Sequence, residues 1–210
     1  DHAAHLLGEL GTDSHGVLAE IYPQAIGEQR GRILSVLGRE LSDASIPVIV
    51  DALLTNDLME AAAVMLESGS ADVTPSMKKL LRESLQKRLD ETVAPNIVAR
   101  VISVLAAIDA KGSKTLFLNY IEPGSASPIR SAAFRALRGA ELTASQTKAM
   151  MVSLEDSAQK GVHDAIREVL VNLPELPAGL APGLKRLLAS RQPEQRLFAI
   201  RMLRTAGGAE

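Results

Sequence analysis

The chain has 210 residues, of which 46% are hydrophobic and 23% charged, and its formal net charge is −2. This is the composition of a folded globular protein, which excludes intrinsic disorder and the low-complexity and collagen-like classes. Cysteine and tryptophan are absent and aromatics make up 2%. That excludes disulfides, thiolate metal sites and cysteine nucleophiles, and leaves the core to Leu, Ile, Val, Ala and Met.

Apolar residues recur at three- and four-residue intervals, the period of an amphipathic helix, whereas period-2 alternation is rare. The pattern predicts short alternating helices at 2–10, 13–25, 27–39, 44–54, 56–67, 74–91 and 95–109, then at 112–121, 127–138, 143–154, 159–172, 178–189 and 193–206. In the first, His2 and His5 are three apart and could share a face and a metal. Asp13, Ser14 and His15 follow one another, which is adjacency and not the convergence a nucleophilic site needs. The apolar run Ile46–Leu54 is cut by Asp51, and no stretch reaches the roughly 18 apolar residues of a membrane helix. Pro47 and Pro75 stand where a helix tolerates proline, in its first turn, and Pro95, Pro128 and Pro193 open later helices on the same logic. Pro182 fits either a helix start or a bend in a helix begun near Pro177. Glu155 and Asp156 fall in a predicted turn and read as solvated. No Gly-x-Ser-x-Gly elbow and no glycine-rich phosphate loop occurs.

An internal repeat organises these helices. Leucines recur at Leu7, Leu37, Leu66, Leu105, Leu137, Leu170 and Leu203. Seven residues before each stand, from the second onward, Arg30, Met59, Val98, Arg130, His163 and Arg196. Small residues fall four or five before the leucine in most units, as at Ala61, Ala62, Ala132, Ala133, Ala165 and Ala199. Such a stripe lets neighbouring helices approach closely. A first helix precedes each of these second helices. The one wide step, from Leu66 to Leu105, is accounted for by extra residues in 78–91, read as part of one long first helix.

Tandem helix pairs of this length resemble HEAT repeats, especially the short HEAT-like units of bilin-lyase relatives. The segment Ile129-Arg130-Ser131-Ala132-Ala133-Phe134-Arg135-Ala136-Leu137 carries the resemblance, with weaker echoes along the chain. The resemblance implies an all-α fold, an α-α superhelix: a right-handed solenoid of about six helix pairs plus a leading half-repeat, forming a single domain over 1–210. The start at Asp1, inside a repeat, suggests a segment of a longer protein. A globular helical bundle is the alternative. The resemblance also implies that Arg30, Arg130 and Arg196 bond to carboxylates or carbonyls of neighbouring turns as a structural ladder. His-Glu pairs, which mark iron-binding HEAT-like hydroxylases, do not occur here.

The expected function is a protein-interaction scaffold that binds a protein partner on the concave face, without catalysis, cofactor, metal, small-molecule substrate or membrane insertion. Alternatives are a non-catalytic regulatory domain of a larger enzyme, or nucleic-acid binding through the basic C-terminal portion. Charge is asymmetric: residues 1–72 hold twelve acids and three bases, residues 73–210 twenty bases and thirteen acids. Lys185, Arg186, Arg191, Arg196, Arg201 and Arg204 cluster with Glu194 as the one acid among them. Arg100, Arg135, Arg138, Arg167, Arg201 and Arg204, on second helices of the basic portion, are the candidate contacts. The compartment is left open, since absence of cysteine fits oxidising and reducing ones alike.

Overall fold

The computed structural model describes residues 11–71, 73–89, 94–155, 160–173 and 180–207. Among these residues helix is the only regular structure, and the fold is all-α. The helices are α1 His15–Ile21, α2 Glu28–Leu37, α3 Ile46–Leu53, α4 Met59–Ser68, α5 Pro75–Leu89 and α6 Pro95–Asp109. They continue with α7 Lys114–Tyr120, α8 Ser127–Ala136, α9 Ala144–Glu155, α10 Lys160–Val171, α11 Ala181–Leu187 and α12 Pro193–Gly207. The helix expected over 2–10, with His2 and His5, lies outside the described residues.

Among the described residues, proline sets three of the six second-helix starts and also opens first helices. Pro95 and Pro193 are the first residues of α6 and α12, and Pro128 sits in the first turn of α8. Pro47 and Pro182 do the same in α3 and α11, so Pro182 opens its helix. A proline N–H would have had no partner there, and its fixed φ suits the first turn. The helix expected over 13–25 is broken into a 3-10 turn at Gly11–Ser14, α1, and a second 3-10 turn at Tyr22–Gln24. Pro23 is the physical reason for the second break: it supplies no N–H to continue the α ladder. Ahead of α9, Thr143 and Gln146 form a reciprocal capping box, each backbone N–H donating to the other's side chain at 2.9 and 3.3 Å.

The chain divides into two compact units, Asp1–Ser113 and Lys114–Glu210. In the first, α3 packs on α4 and α5 on α6, while α3 also packs on α5 and α4 on α6. In the second, α7 packs on α8, α9 on α10 and α11 on α12, while α8 packs on α10 and α9 on α11. Within each unit, therefore, first helices lie against first helices and second against second. The recurring leucines supply the core of this arrangement. Leu37, Leu66, Leu105, Leu137 and Leu170 are buried, and Leu203 is half-buried. The three phenylalanines, Phe117, Phe134 and Phe198, are buried too. Each buried leucine contributes about 1.5–3 kcal/mol relative to exposure.

Candidate interaction surface

The arginines seven before the leucine anchors do structural work in the turn before their own helix. Arg30 donates from Nε to the Ala25 carbonyl at 2.8 Å and lies 5.3 Å from the centre of the Tyr22 ring. Arg130, only 3% exposed, donates from Nε to the Ile121 carbonyl at 3.0 Å and from Nη2 to the Ser153 hydroxyl at 3.1 Å. Arg196 donates from Nη1 to the carbonyls of Ser190 and Arg191 at 2.8 and 3.2 Å. In all three, a charged donor satisfies carbonyls that a tight turn leaves without backbone partners. His163, in the same column, is buried 3.5 Å from the Gln195 amide, which itself donates to the Leu154 carbonyl at 2.6 Å.

The sequence-selected arginines fall into two groups. Four are tied to carboxylates, each with at least one on a neighbouring second helix. Arg100 on α6 forks onto Glu67 of α4 at 2.6 and 3.3 Å and reaches Glu60 at 3.1 Å. Arg135 and Arg138, at the end of α8, share Glu168 of α10 at 3.5 and 2.8 Å. Arg167 on α10 pairs with Asp164 of its own helix and approaches Glu194 of α12 to 3.7 Å. Its Nη1 is buried with no hydrogen-bond partner among the described residues. Arg201 and Arg204 on α12 form the second group: both are exposed, and neither has an ion-pair partner among the described residues.

Sequence reasoning did not foresee these rungs. Glu67 and Glu168 lie 33 and 30 residues from Arg100 and Arg138 respectively. The signal that could have found them is opposite charge recurring about one repeat apart. Glu155 is also corrected: it is the last residue of α9, and its carboxylate receives Arg186 at 2.9 Å. Asp156 lies outside the described residues. Removing the Arg100 side chain is expected to cost about 1 kcal/mol, the upper range for exposed pairs, because the fork onto Glu67 is half-buried. A double-mutant cycle with Glu67→Gln in urea denaturation checks this, and additive losses would deny the coupling.

α10 and α12 pack less closely than α8 and α10. Between them runs an open groove of about 610 Å³, lined among others by Asp164, Arg167, Glu168, Glu194, Leu197 and Arg201. It brings Arg167 and Arg201 together, with Glu168 tying the same region to Arg135 and Arg138.

The Asp13-Ser14-His15 run does not converge on a site. Ser14 donates to the Gly11 carbonyl at 2.9 Å, and His15 is buried with Nδ1 2.7 Å from the Ser42 hydroxyl. Burial pushes the His15 imidazole below the usual histidine range, and Glu40 opposes this more weakly. The unfolded chain thus binds a proton that the fold resists. The His15 contribution is complete above about pH 6.5 and lost as pH falls below it toward the lowered folded-state value. The urea midpoint of the native chain is expected to fall between about pH 7 and pH 5, and that of His15→Gln to fall less. Equal slopes would place the pH dependence elsewhere.

Among the described residues, no three His, Asp or Glu side chains are grouped so as to hold a metal ion, and no helix is long and apolar enough to cross a membrane. Comparison with protein-family models, curated proteins and solved structures finds no match to this chain.

Proposed function

We propose that this chain is a HEAT-like α-solenoid segment that works as a protein-interaction scaffold, holding a partner on the concave face lined by its second helices. The observation that carries the reading is the packing inside each unit, where, among the described residues, arginine and carboxylate bridge one second helix to the next: α6 to α4, and α8 to α10. Stacked pairs of this kind build a continuous core from small residues and present a row of similar side chains on one face. Such a row recognises partners by shape and charge, with affinity set by surface complementarity and not by bond chemistry.

Nucleic-acid binding is the second reading. Lys185, Arg191, Arg201 and Arg204 favour it, since none has an ion-pair partner among the described residues. Two other cations of the cluster are already engaged, Arg186 by Glu155 and Arg196 by backbone carbonyls. A role as a regulatory domain beside a catalytic one is compatible with the scaffold reading.

Affinity capture from source lysate, with and without nuclease, separates the readings. A discrete protein retained after nuclease, and lost from the double variant Arg201→Glu/Arg204→Glu, supports the scaffold. Loss of all bound material on nuclease treatment, together with binding that falls steeply with salt, overturns it in favour of nucleic acid. Because both arginines are exposed, the double variant is expected to keep its stability within about 0.5 kcal/mol, as read by thermal unfolding.

A further inference from the structure

The second unit contains the same helix face twice, once partly covered and once bare. α12 repeats α8 at a spacing of 66 residues: Ser131, Phe134, Arg135 and Arg138 of the first correspond to Leu197, Ile200, Arg201 and Arg204 of the second. On α8 the Ser131 and Phe134 half of this face is covered, while Arg135 and Arg138 stay more than half exposed. Ser131 and Phe134 are 7% and 1% exposed, and Arg135 and Arg138 hold Glu168. The covering element at Ser131 is α10: a Cβ placed on Gly161 would stand 3.9 Å from the Ser131 hydroxyl. On α12 the corresponding Leu197 and Ile200 are 56% and 53% exposed, and the two arginines have no carboxylate among the described residues. Positions 197, 200, 201 and 204 form one helical stripe, at the spacings i, i+3, i+4 and i+7.

We propose that this stripe is a docking surface for a single amphipathic helix that offers one carboxylate to Arg201 and Arg204, and which seats on α12 as α10 seats on α8. The required chemistry is read from α10 itself. Gly161 lies over the first position of the stripe, and Glu168, seven residues on, meets both arginines. The partner helix therefore carries a small residue that admits Leu197, an apolar face over Ile200, and a carboxylate two turns later for Arg201 and Arg204. Charge complementarity calls for a carboxylate on the partner: Arg201 and Arg204 are exposed on the stripe and have no ion-pair partner among the described residues. Two arginines sharing one carboxylate at an otherwise apolar contact give both orientation and discrimination against basic helices. This inference rests on the scaffold reading and names the class of partner for one of its faces.

The probe is a fluorescein-labelled, cross-linked helical peptide with the sequence of residues 160–173, titrated into the full chain by fluorescence anisotropy. Cross-linking is needed because an isolated helix of this length is marginal in water. Saturable binding is expected, with amide shifts in NMR spectra centred on residues 197–204. Arg201→Glu/Arg204→Glu should weaken it at least tenfold, and a peptide carrying Glu168→Arg should restore binding to that variant. The variant Leu197→Ala/Ile200→Ala tests the apolar half of the stripe independently and should weaken binding as well. Absence of saturable binding, binding indifferent to both variants, or shifts confined to α8 would overturn the proposal. Sedimentation of the chain alone adds a further arm: self-association abolished at the stripe by Arg201→Glu/Arg204→Glu would give the face to a second copy and also overturn it. A partner captured through other residues while the peptide fails would end the stripe assignment and leave the scaffold standing. Peptide binding combined with capture of nucleic acid alone would do the reverse.

Discussion

Arg130→Ala is expected to destabilise the second unit by about 3 kcal/mol. The guanidinium is almost wholly buried, donates to the Ile121 carbonyl and the Ser153 hydroxyl, and lies 5.8 Å from the centre of the Phe134 ring. Removing it strands the buried Ile121 carbonyl, worth about 1–3 kcal/mol when left unpaired, and opens a space beside the ring, while the half-buried Ser153 hydroxyl keeps its bond to the Ala149 carbonyl. Arg130→Lys should recover little of the loss, because an ammonium cannot reach two divergent acceptors as a planar fork does. The homologous changes Arg30→Ala and Arg196→Ala should cost about 1 kcal/mol each, since those side chains are only half-buried. Urea denaturation of the three variants gives the order. Equal losses would mean that the column acts through its turn contacts alone, with burial irrelevant.

Leu105→Ala is expected to cost about 3–4 kcal/mol, the range for a fully buried leucine whose surroundings cannot collapse into the cavity. Leu105 lies on α6, which is packed by both α4 and α5, and is fully buried. Leu203→Ala, at the matching position of α12, should cost about 1 kcal/mol because that side chain is only half-buried. Thermal unfolding of the pair tests whether the repeat column is one energetic class. If Leu203→Ala proved as damaging as Leu105→Ala, α12 would have to be covered more fully in solution than the half-burial of Leu203 allows.

Helix placement was almost entirely legible in the sequence, because it depends on local signals. The helix expected over 95–109 is α6 to the residue, with Pro95 as its start. The extra residues of the wide repeat step fall largely in α5, Pro75–Leu89, and the expected boundary at 91 lies outside the described residues. The failure at 13–25 came from giving apolar periodicity more weight than Pro23, which lacks the N–H that helix would need. The role of the arginine column was implied only by the resemblance to HEAT-like units; its carbonyl partners lie five to nine residues back in the chain. The candidate contacts were less so. Whether Arg100 or Arg138 is free depends on a carboxylate some 30 residues distant, placed by the packing of one second helix on another. Leu197 and Ile200 escaped notice for the opposite reason: in sequence they look like core positions, and their exposure is a property of α12's surroundings alone.

The scarcity of aromatic residues has an optical consequence. With no tryptophan and two tyrosines in 210 residues, intrinsic emission comes from Tyr22 and Tyr120 alone. One tyrosine stands in each compact unit, Tyr22 buried against Arg30 in the first and Tyr120 partly exposed at the end of α7 in the second. Tyr120→Phe leaves a chain whose ultraviolet fluorescence reports the first unit only, and Tyr22→Phe one that reports the second. The two halves can thus be watched melting one at a time, without a dye or a label.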